Sequence, residues 1–313
     1  MAELVTFGEA MLRLSPPTGE RLETARELSC RVGGAESNVA IAAARLGLET
    51  VWLSKLPDSA LGRRVVSALR EHGAEPRVCW SEAGRQGTYY LDAGGSPRGT
   101  NVVYDRENTA VQTATPDELD TAEIDDADLF LTSGITPALS TTLFETTQSL
   151  LDTDTKTAFD LNYRRKLWSE AEAREAYETL LPAVDLLFAP ERDVRSVLGF
   201  DGEPAALAAT LREKYDCETV VVTCGDDGAV ADTESQTVAQ PAVAAETVDA
   251  VGSGDAFVGG YLSQALRGEG IERCLSYGAA TAALKRTISG DIAVVSESEV
   301  ERVLDDETAE IDR

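Results

Sequence analysis

The sequence predicts an α/β fold: three αβα layers around a mainly parallel central sheet, with a small β-sheet lid outside it. Three observations carry this prediction. Short apolar or β-branched runs alternate with helical patterns along most of the 313 residues, which is how a parallel sheet covered on both faces reads in sequence. A hydrophobic content of 43% supplies a core of the size such a sheet needs. Two stretches, about 11–32 and 85–113, break the alternation with period-two patterns, and these supply the lid.

The elements follow in chain order. Buried strands are predicted at 4–7, 51–53, 129–131, 157–159, 186–188 and 220–223, each a short apolar run between turn signals. An Ala-rich helix at 37–46 begins on a serine cap and stops at Gly47. A second helix follows Asp58 and runs to Gly73, with Val65 and Leu69 four residues apart on one face. In the lid, Thr88-Tyr89-Tyr90-Leu91 and Asn101-Val102-Val103-Tyr104 flank the turn Gly94-Gly95-Ser96-Pro97, so antiparallel strands are expected. The last residues, 297–313, read as one acidic helix or a frayed tail, and the whole of 1–313 as one domain without repeats.

Charge and composition exclude several functions. The chain carries 55 acidic against 28 basic residues, a formal charge of −27, which opposes nucleic acid and anionic membranes as partners. Only five lysines occur (Lys55, Lys156, Lys166, Lys214 and Lys285), and the acidic excess is spread over the chain, a pattern resembling proteins of very salty cytoplasm. Five cysteines without a C-x-x-C pair indicate neither a disulfide frame nor a zinc site. The N-terminus lacks a signal-like apolar run, so a cytoplasmic location is expected. The lone histidine, His72, falls at the end of a helical pattern, which leaves no basis for histidine triads or multi-histidine metal sites.

The strongest chemical signal is Asp249-Ala250-Val251-Gly252-Ser253-Gly254-Asp255, followed by a helical pattern from Phe257 to Leu266. Two glycines two apart let successive N–H groups turn outward at a helix start, where the dipole also favours an anion such as phosphate. A carboxylate placed beside a bound phosphate, as Asp255 is, points to a base acting on an incoming hydroxyl. No Gly-Lys dipeptide exists, so there is no Walker A loop, and Gly8 lacks the partners of a dinucleotide fingerprint. A second glycine pair, Gly33-Gly34-Ala35, precedes Asn38, whose amide suits a hydroxylated ligand.

In order and spacing the chain resembles the ribokinase-like PfkB carbohydrate kinases over nearly its whole length. The matching segments are Gly8-Glu9, Gly33-Gly34-Ala35 with Asn38, Thr223-Cys224-Gly225-Asp226-Asp227-Gly228, and Asp249 to Asp255. Within that family it is similar to 2-keto-3-deoxygluconate kinases through Tyr104-Asp105-Arg106 and Asp160-Leu161-Asn162-Tyr163-Arg164-Arg165-Lys166-Leu167-Trp168. The resemblance implies ATP-dependent phosphorylation of 2-keto-3-deoxygluconate, or also 2-keto-3-deoxygalactonate, at the 6-hydroxyl. It makes Asp255 the general base, and Gly34, Ala35, Asn38, Tyr89, Tyr104, Arg106, Arg164 and Asp291 the sugar-acid contacts. ATP is expected at Asn162, Thr223, Gly225, Asp227, Gly228, Gly252, Ser253 and Gly254.

The family's Asn-x-x-Glu, linked to Mg²⁺, falls on Pro190-Glu191-Arg192-Asp193, so Asp193 or Glu191 is the expected metal contact. Independently of resemblance, three adjacent cations at 164–166 in so acidic a chain call for an anion nearby, and a guanidinium clamp on a carboxylate meets that need. The remaining readings are a kinase of the same fold acting on fructose, a phosphofructose or a nucleoside, and a catalytically weak sugar-sensing protein. A homo-oligomer, a dimer or larger, formed through the lid is expected because lid strands leave free edges.

Overall fold

A computed structural model describes residues 1–94 and 97–305. The strands are β1 (Leu4–Phe7), β2 (Met11–Ser15), β3 (Ser29–Gly33), β4 (Thr50–Pro57), β5 (Glu75–Ser81), β6 (Thr88–Asp92), β7 (Asn101–Asp105), β8 (Leu129–Ser133), β9 (Lys156–Asp160), β10 (Leu186–Pro190), β11 (Thr219–Thr223), β12 (Ala229–Thr233) and β13 (Thr237–Gln240). Between them lie α1 (Ala35–Arg45), α2 (Ala60–Glu71), α3 (Ala122–Asp125), α4 (Thr141–Leu151), α5 (Glu170–Leu180), α6 (Glu191–Asp193), α7 (Pro204–Tyr215), α8 (Ser253–Ala265), α9 (Ile271–Arg286) and α10 (Glu297–Leu304).

Nine strands form the central sheet in the order β13-β12-β11-β10-β9-β8-β1-β4-β5. Every pair from β11 through β5 is parallel, and the β11/β12 and β12/β13 pairs at one edge are antiparallel, so that β12 alone is reversed. Each central strand sends alternate residues to opposite faces, as the pleat requires. Leu4, Leu131, Phe188 and Val221 meet α1, α8 and α9 on one face. Val5, Phe130, Phe159 and Leu187 meet α4, α5 and α7 on the other. All six predicted strands are present, the first with the predicted bounds and the others extended by one to five residues, and the three-layer ribokinase-like architecture stands.

The lid is a four-stranded sheet, β3-β2-β6-β7. It is not wholly antiparallel: β2 and β6 pair in parallel, Leu12 opposite Thr88. The reason is that β2/β3 and β6/β7 are separate antiparallel pairs that join along their first strands. Residues 110–113, expected in the lid, form a 3₁₀ turn whose Val111 is buried in the main core. Helix α1 also departs from expectation. It starts at Ala35 with Gly34 as its cap, and Ser37 lies inside it, donating from Oγ to the Gly34 carbonyl at 3.0 Å. For α2 the cap is Ser59, which accepts from the Gly62 N–H, and His72 closes the helix as expected. Of the expected turn at 94–97, Gly95 and Ser96 lie outside the described residues, as does the tail from 306 on.

Candidate active site

The chain reverses its direction of growth across the sheet at β1, which lies between β8 and β4. In open α/β sheets, such a switch point opens a crevice at the carboxyl ends of the strands. A cavity of about 560 Å³ occupies that position, lined from β8 to β11 by Ile135, Asp160, Pro190 and Thr223, and roofed by the lid residues Tyr89, Tyr104 and Arg106. A second cavity of about 300 Å³ shares Thr223, Ala250, Ser253 and Gly254 with it, and continues to Gly225, Gly228 and Arg286.

Between the two lies the start of α8. Gly252 caps this helix with φ of 83°, a left-handed conformation that favours glycine, and a Cβ there would strike the Asp291 carbonyl. The N–H groups of Gly254 and Asp255 belong to the first helical turn, where no intrahelical partner exists. Above Gly254 the space is open, since an added Cβ would meet no atom within 4 Å. This is a cradle for an anion, and its charge complement is the positive end of α8.

Asp255, the third residue of α8, sits on the cavity wall and accepts from Asn38 Nδ2 at 2.7 Å. Burial pushes its carboxyl up to about 6, against the Asn38 hydrogen bond and the charge of Arg164. A base poised there is ionised at neutral pH yet remains a competent proton acceptor. Asp160, at the end of β9, is pushed up to about 8 by burial and by the neighbouring Asp255 and Asp193. Asn162, in the left-handed region at φ of 39°, binds both Asp160 oxygens, by its backbone N–H at 3.1 Å and its side-chain amide at 3.2 Å.

Most expected site residues converge here. Gly34, Ala35, Asn38, Tyr89, Tyr104, Arg106, Arg164, Asn162, Thr223, Gly252, Ser253, Gly254 and Asp291 all line the main cavity. Gly225 and Gly228 line the second one, but Asp227 lines neither, and its neighbour Asp226 faces that cavity, paired with Arg286 at 3.0 Å. The basic run at 164–166 divides. Arg164 enters the cavity, while Lys166 donates to the Val102 carbonyl of the lid. Asp193 lines the cavity, fully buried, accepting from the Tyr163 N–H at 3.1 Å. Glu191 does not reach it, because its carboxylate is held by Arg195.

Asp291 has a different environment from the one expected. Arg13 binds one of its oxygens at 2.7 Å, and the Tyr89 hydroxyl donates to the other. The same guanidinium binds Asp249 at 2.7 Å, and Asp249 also accepts from the N–H groups of Gly290 and Val251. Behind this junction the fully buried Lys285 donates to the Asp249 carbonyl at 2.9 Å. Arg13 thus ties lid strand β2 to the loop that opens the anion cradle. Its sequence signal was a lone cation inside the apolar run Met11-Leu12-Arg13-Leu14.

Among the described residues, no group of three or more His, Cys, Asp or Glu side chains could by itself hold a metal. The donor set still suits Mg²⁺, which keeps several waters and takes most of its remaining ligands from phosphates. Asp193 and Asp255 line the cavity with Asp160, close enough to raise its carboxyl after burial has done so, and a cation among them would offset that repulsion.

An anion cradle between two joined cavities, with a carboxylate base beside it and a lid above, defines a sugar-kinase type of phosphotransferase site. Residues 1–298 match the pfkB family carbohydrate kinases, and the chain belongs to that family. It is 60% identical to the 2-dehydro-3-deoxygalactonokinase of Haloferax volcanii, covering 100% of this chain and 99% of that protein. It is 28% identical to the 2-dehydro-3-deoxygluconokinase of Thermoproteus tenax, over 97% and 94%. The crystal structure of 2-dehydro-3-deoxygluconokinase from Thermotoga maritima superposes with a TM-score of 0.90 at 33% identity, covering 96% of this chain and 98% of that one. The protein is therefore a carbohydrate kinase, and PfkB kinases use ATP. Among the described residues no helix is long and apolar enough to cross a membrane.

Proposed function

We propose that this kinase transfers the γ-phosphoryl group of ATP to the terminal hydroxyl of a 2-keto-3-deoxy sugar acid, with the galactonate epimer preferred over the gluconate. The carrying observation is Arg164. It lines the same cavity as Asp255 while half-buried and, among the described residues, its side chain makes neither an ion pair nor a hydrogen bond, which leaves a whole guanidinium edge for an anionic ligand. The epimer preference rests on the name of the 60% identical relative.

In this reading the sugar lies under Tyr89 and Tyr104 with its carboxylate toward Arg164 and Arg106, and its 6-hydroxyl toward Asp255. Asp255 takes the hydroxyl proton, while the Gly254 and Asp255 N–H groups hold the transferred phosphoryl oxygens. The adenine side of ATP enters the cavity between Gly225 and Ala283. Asp193, with Asp160 beside it, would hold Mg²⁺ through waters, and the ion would supply positive charge to the phosphates.

The test is ATP turnover on a panel of both 2-keto-3-deoxy acids, fructose, fructose 6-phosphate and a nucleoside, with wild type and Arg164→Ala. Only the sugar acids are expected to turn over, the galactonate faster, with Arg164→Ala losing at least about tenfold on them. A neutral ketose as best substrate, or equal losses on charged and neutral substrates, defeats the proposal.

A further inference from the structure

We propose that Glu9 is a specificity-determining residue that accepts a hydrogen bond from a sugar hydroxyl other than the one phosphorylated; this rests on the sugar-acid kinase reading above. Glu9 follows β1 at the switch point and lines the main cavity. Its residue is 4% exposed, and neither carboxylate oxygen has a hydrogen-bond partner among the described residues. Its nearest cation is Arg106, whose Nε lies 3.6 Å away, beyond hydrogen-bond reach. Arg106 is itself stacked over the Tyr104 ring at 4.3 Å, and its Nε and Nη1 are likewise buried without partners. Buried carboxylates are normally saturated by two or more donors, and leaving one bare costs its full desolvation.

Glu9 and Arg106 therefore form an ion pair in which the carboxylate and the Nε and Nη1 of Arg106 are unused, while Arg106 Nη2 donates to Met11 Sδ at 3.4 Å. The ligand that completes the pair presents an acceptor oxygen to Arg106 and a hydroxyl donor to Glu9. Burial pushes the Glu9 carboxyl up, while Arg106 and the Thr109 hydroxyl favour its ionised form; in that form it accepts only, and so serves a hydroxyl and not a second carboxylate or a carbonyl oxygen. Enclosure by Gly87 and Met11 leaves it no room to turn away: a Cβ on Gly87 would stand 2.9 Å from Glu9 Oε1 and 3.0 Å from Met11 Cγ. Sites of this kind reject analogues that lack the matching hydroxyl, because the buried acceptor is then left unpaired.

The experiment compares wild type, Glu9→Gln and Glu9→Asp on the full sugar acid and on its 4-deoxy and 5-deoxy analogues. Glu9→Asp keeps the charge and withdraws it, which guards against a variant that fails to fold. Wild type is expected to lose about ten- to hundredfold in kcat/KM on one of the two analogues. Both variants are expected to raise KM for the full substrate by at least about tenfold with kcat within about threefold, and to lose the discrimination against that analogue. Variants that discriminate as wild type does, or that lower kcat with KM unchanged, overturn the proposal. If wild type turns over no sugar acid, the kinase-substrate reading has failed instead. Glu9 is then judged by calorimetric binding of neutral polyols: at least tenfold weakening of one in Glu9→Gln supports it, and no such polyol overturns it.

Discussion

The coupling of Asn38 to Asp255 offers the sharpest test of the proposed chemistry. Asp255 acts as a base only when ionised, and its carboxyl stands at about 6 because burial favours the neutral form. The main opposing influence is the 2.7 Å hydrogen bond from Asn38 Nδ2, which favours the charged form. A hydrogen bond to a charged group contributes about 1.5–3 kcal/mol, and one pH unit corresponds to about 1.4 kcal/mol. Asn38→Ala is therefore expected to move the acidic limb of the kcat/KM profile upward by about one to two pH units. The variant is then slow at pH 7 and regains part of its rate near pH 9. Asp255→Asn is expected to lose at least about a hundredfold at every pH and to have no such limb. The assay is coupled ADP release between pH 5 and 9, with wild type in parallel so that substrate ionisation cancels. An acidic limb that stays in place or moves down in Asn38→Ala refutes the electrostatic argument, and near-normal turnover by Asp255→Asn removes the base.

Two further outcomes follow from charge. Glu36, Asp160 and Asp255 stand at about 7, 8 and 6 in the folded chain, each raised chiefly by burial, so the folded state holds protons that the unfolded state has released. Their contribution to stability is full below about pH 4 and is lost progressively as pH rises from there to about 8; the melting temperature of the ligand-free protein is expected to fall over that window, less so in Asp160→Asn, and a flat or rising profile contradicts the assignment. With a formal charge of −27, the melting temperature is expected to rise between dilute buffer and about 2 M KCl, where the screening length shrinks to about 2–3 Å; an unchanged value counts against self-repulsion as a destabilising factor.

Much of the fold was legible because the central strands are buried on both faces. Runs such as Val220-Val221-Val222 carry no polar interruption to obscure them. Edge strands were harder: β5 contains Pro76 and Arg77, a sequence no central strand tolerates, and it went unrecognised. The start of α1 was misplaced because a serine at 37 is an ordinary cap signal, whereas the true cap depends on Gly34 fitting against the Glu9 backbone. The glycine-rich motifs identified the cradle because their chemistry is local. Arg13 escaped because its partners Asp249 and Asp291 lie 236 and 278 residues away, a distance no periodicity reports.

That junction also explains how so acidic a chain holds anionic substrates. Of the cations around the cavities, Arg13 is committed to two carboxylates, Lys285 to backbone carbonyls, Arg192 to Asp193 and Arg286 to Asp226. The arginines neutralise charge already present and Lys285 is spent on the backbone, so these groups shape the walls without reaching a ligand. What remains for an incoming anion is Arg164, the unused edge of Arg106 and the dipole of α8. In the proposed arrangement the carboxylate of the sugar acid and the phosphates of the nucleotide draw on different sources of positive potential, guanidinium groups for one and backbone N–H groups for the other. Separating them in this way keeps the two anions from competing for one cation while Asp255 stands between them.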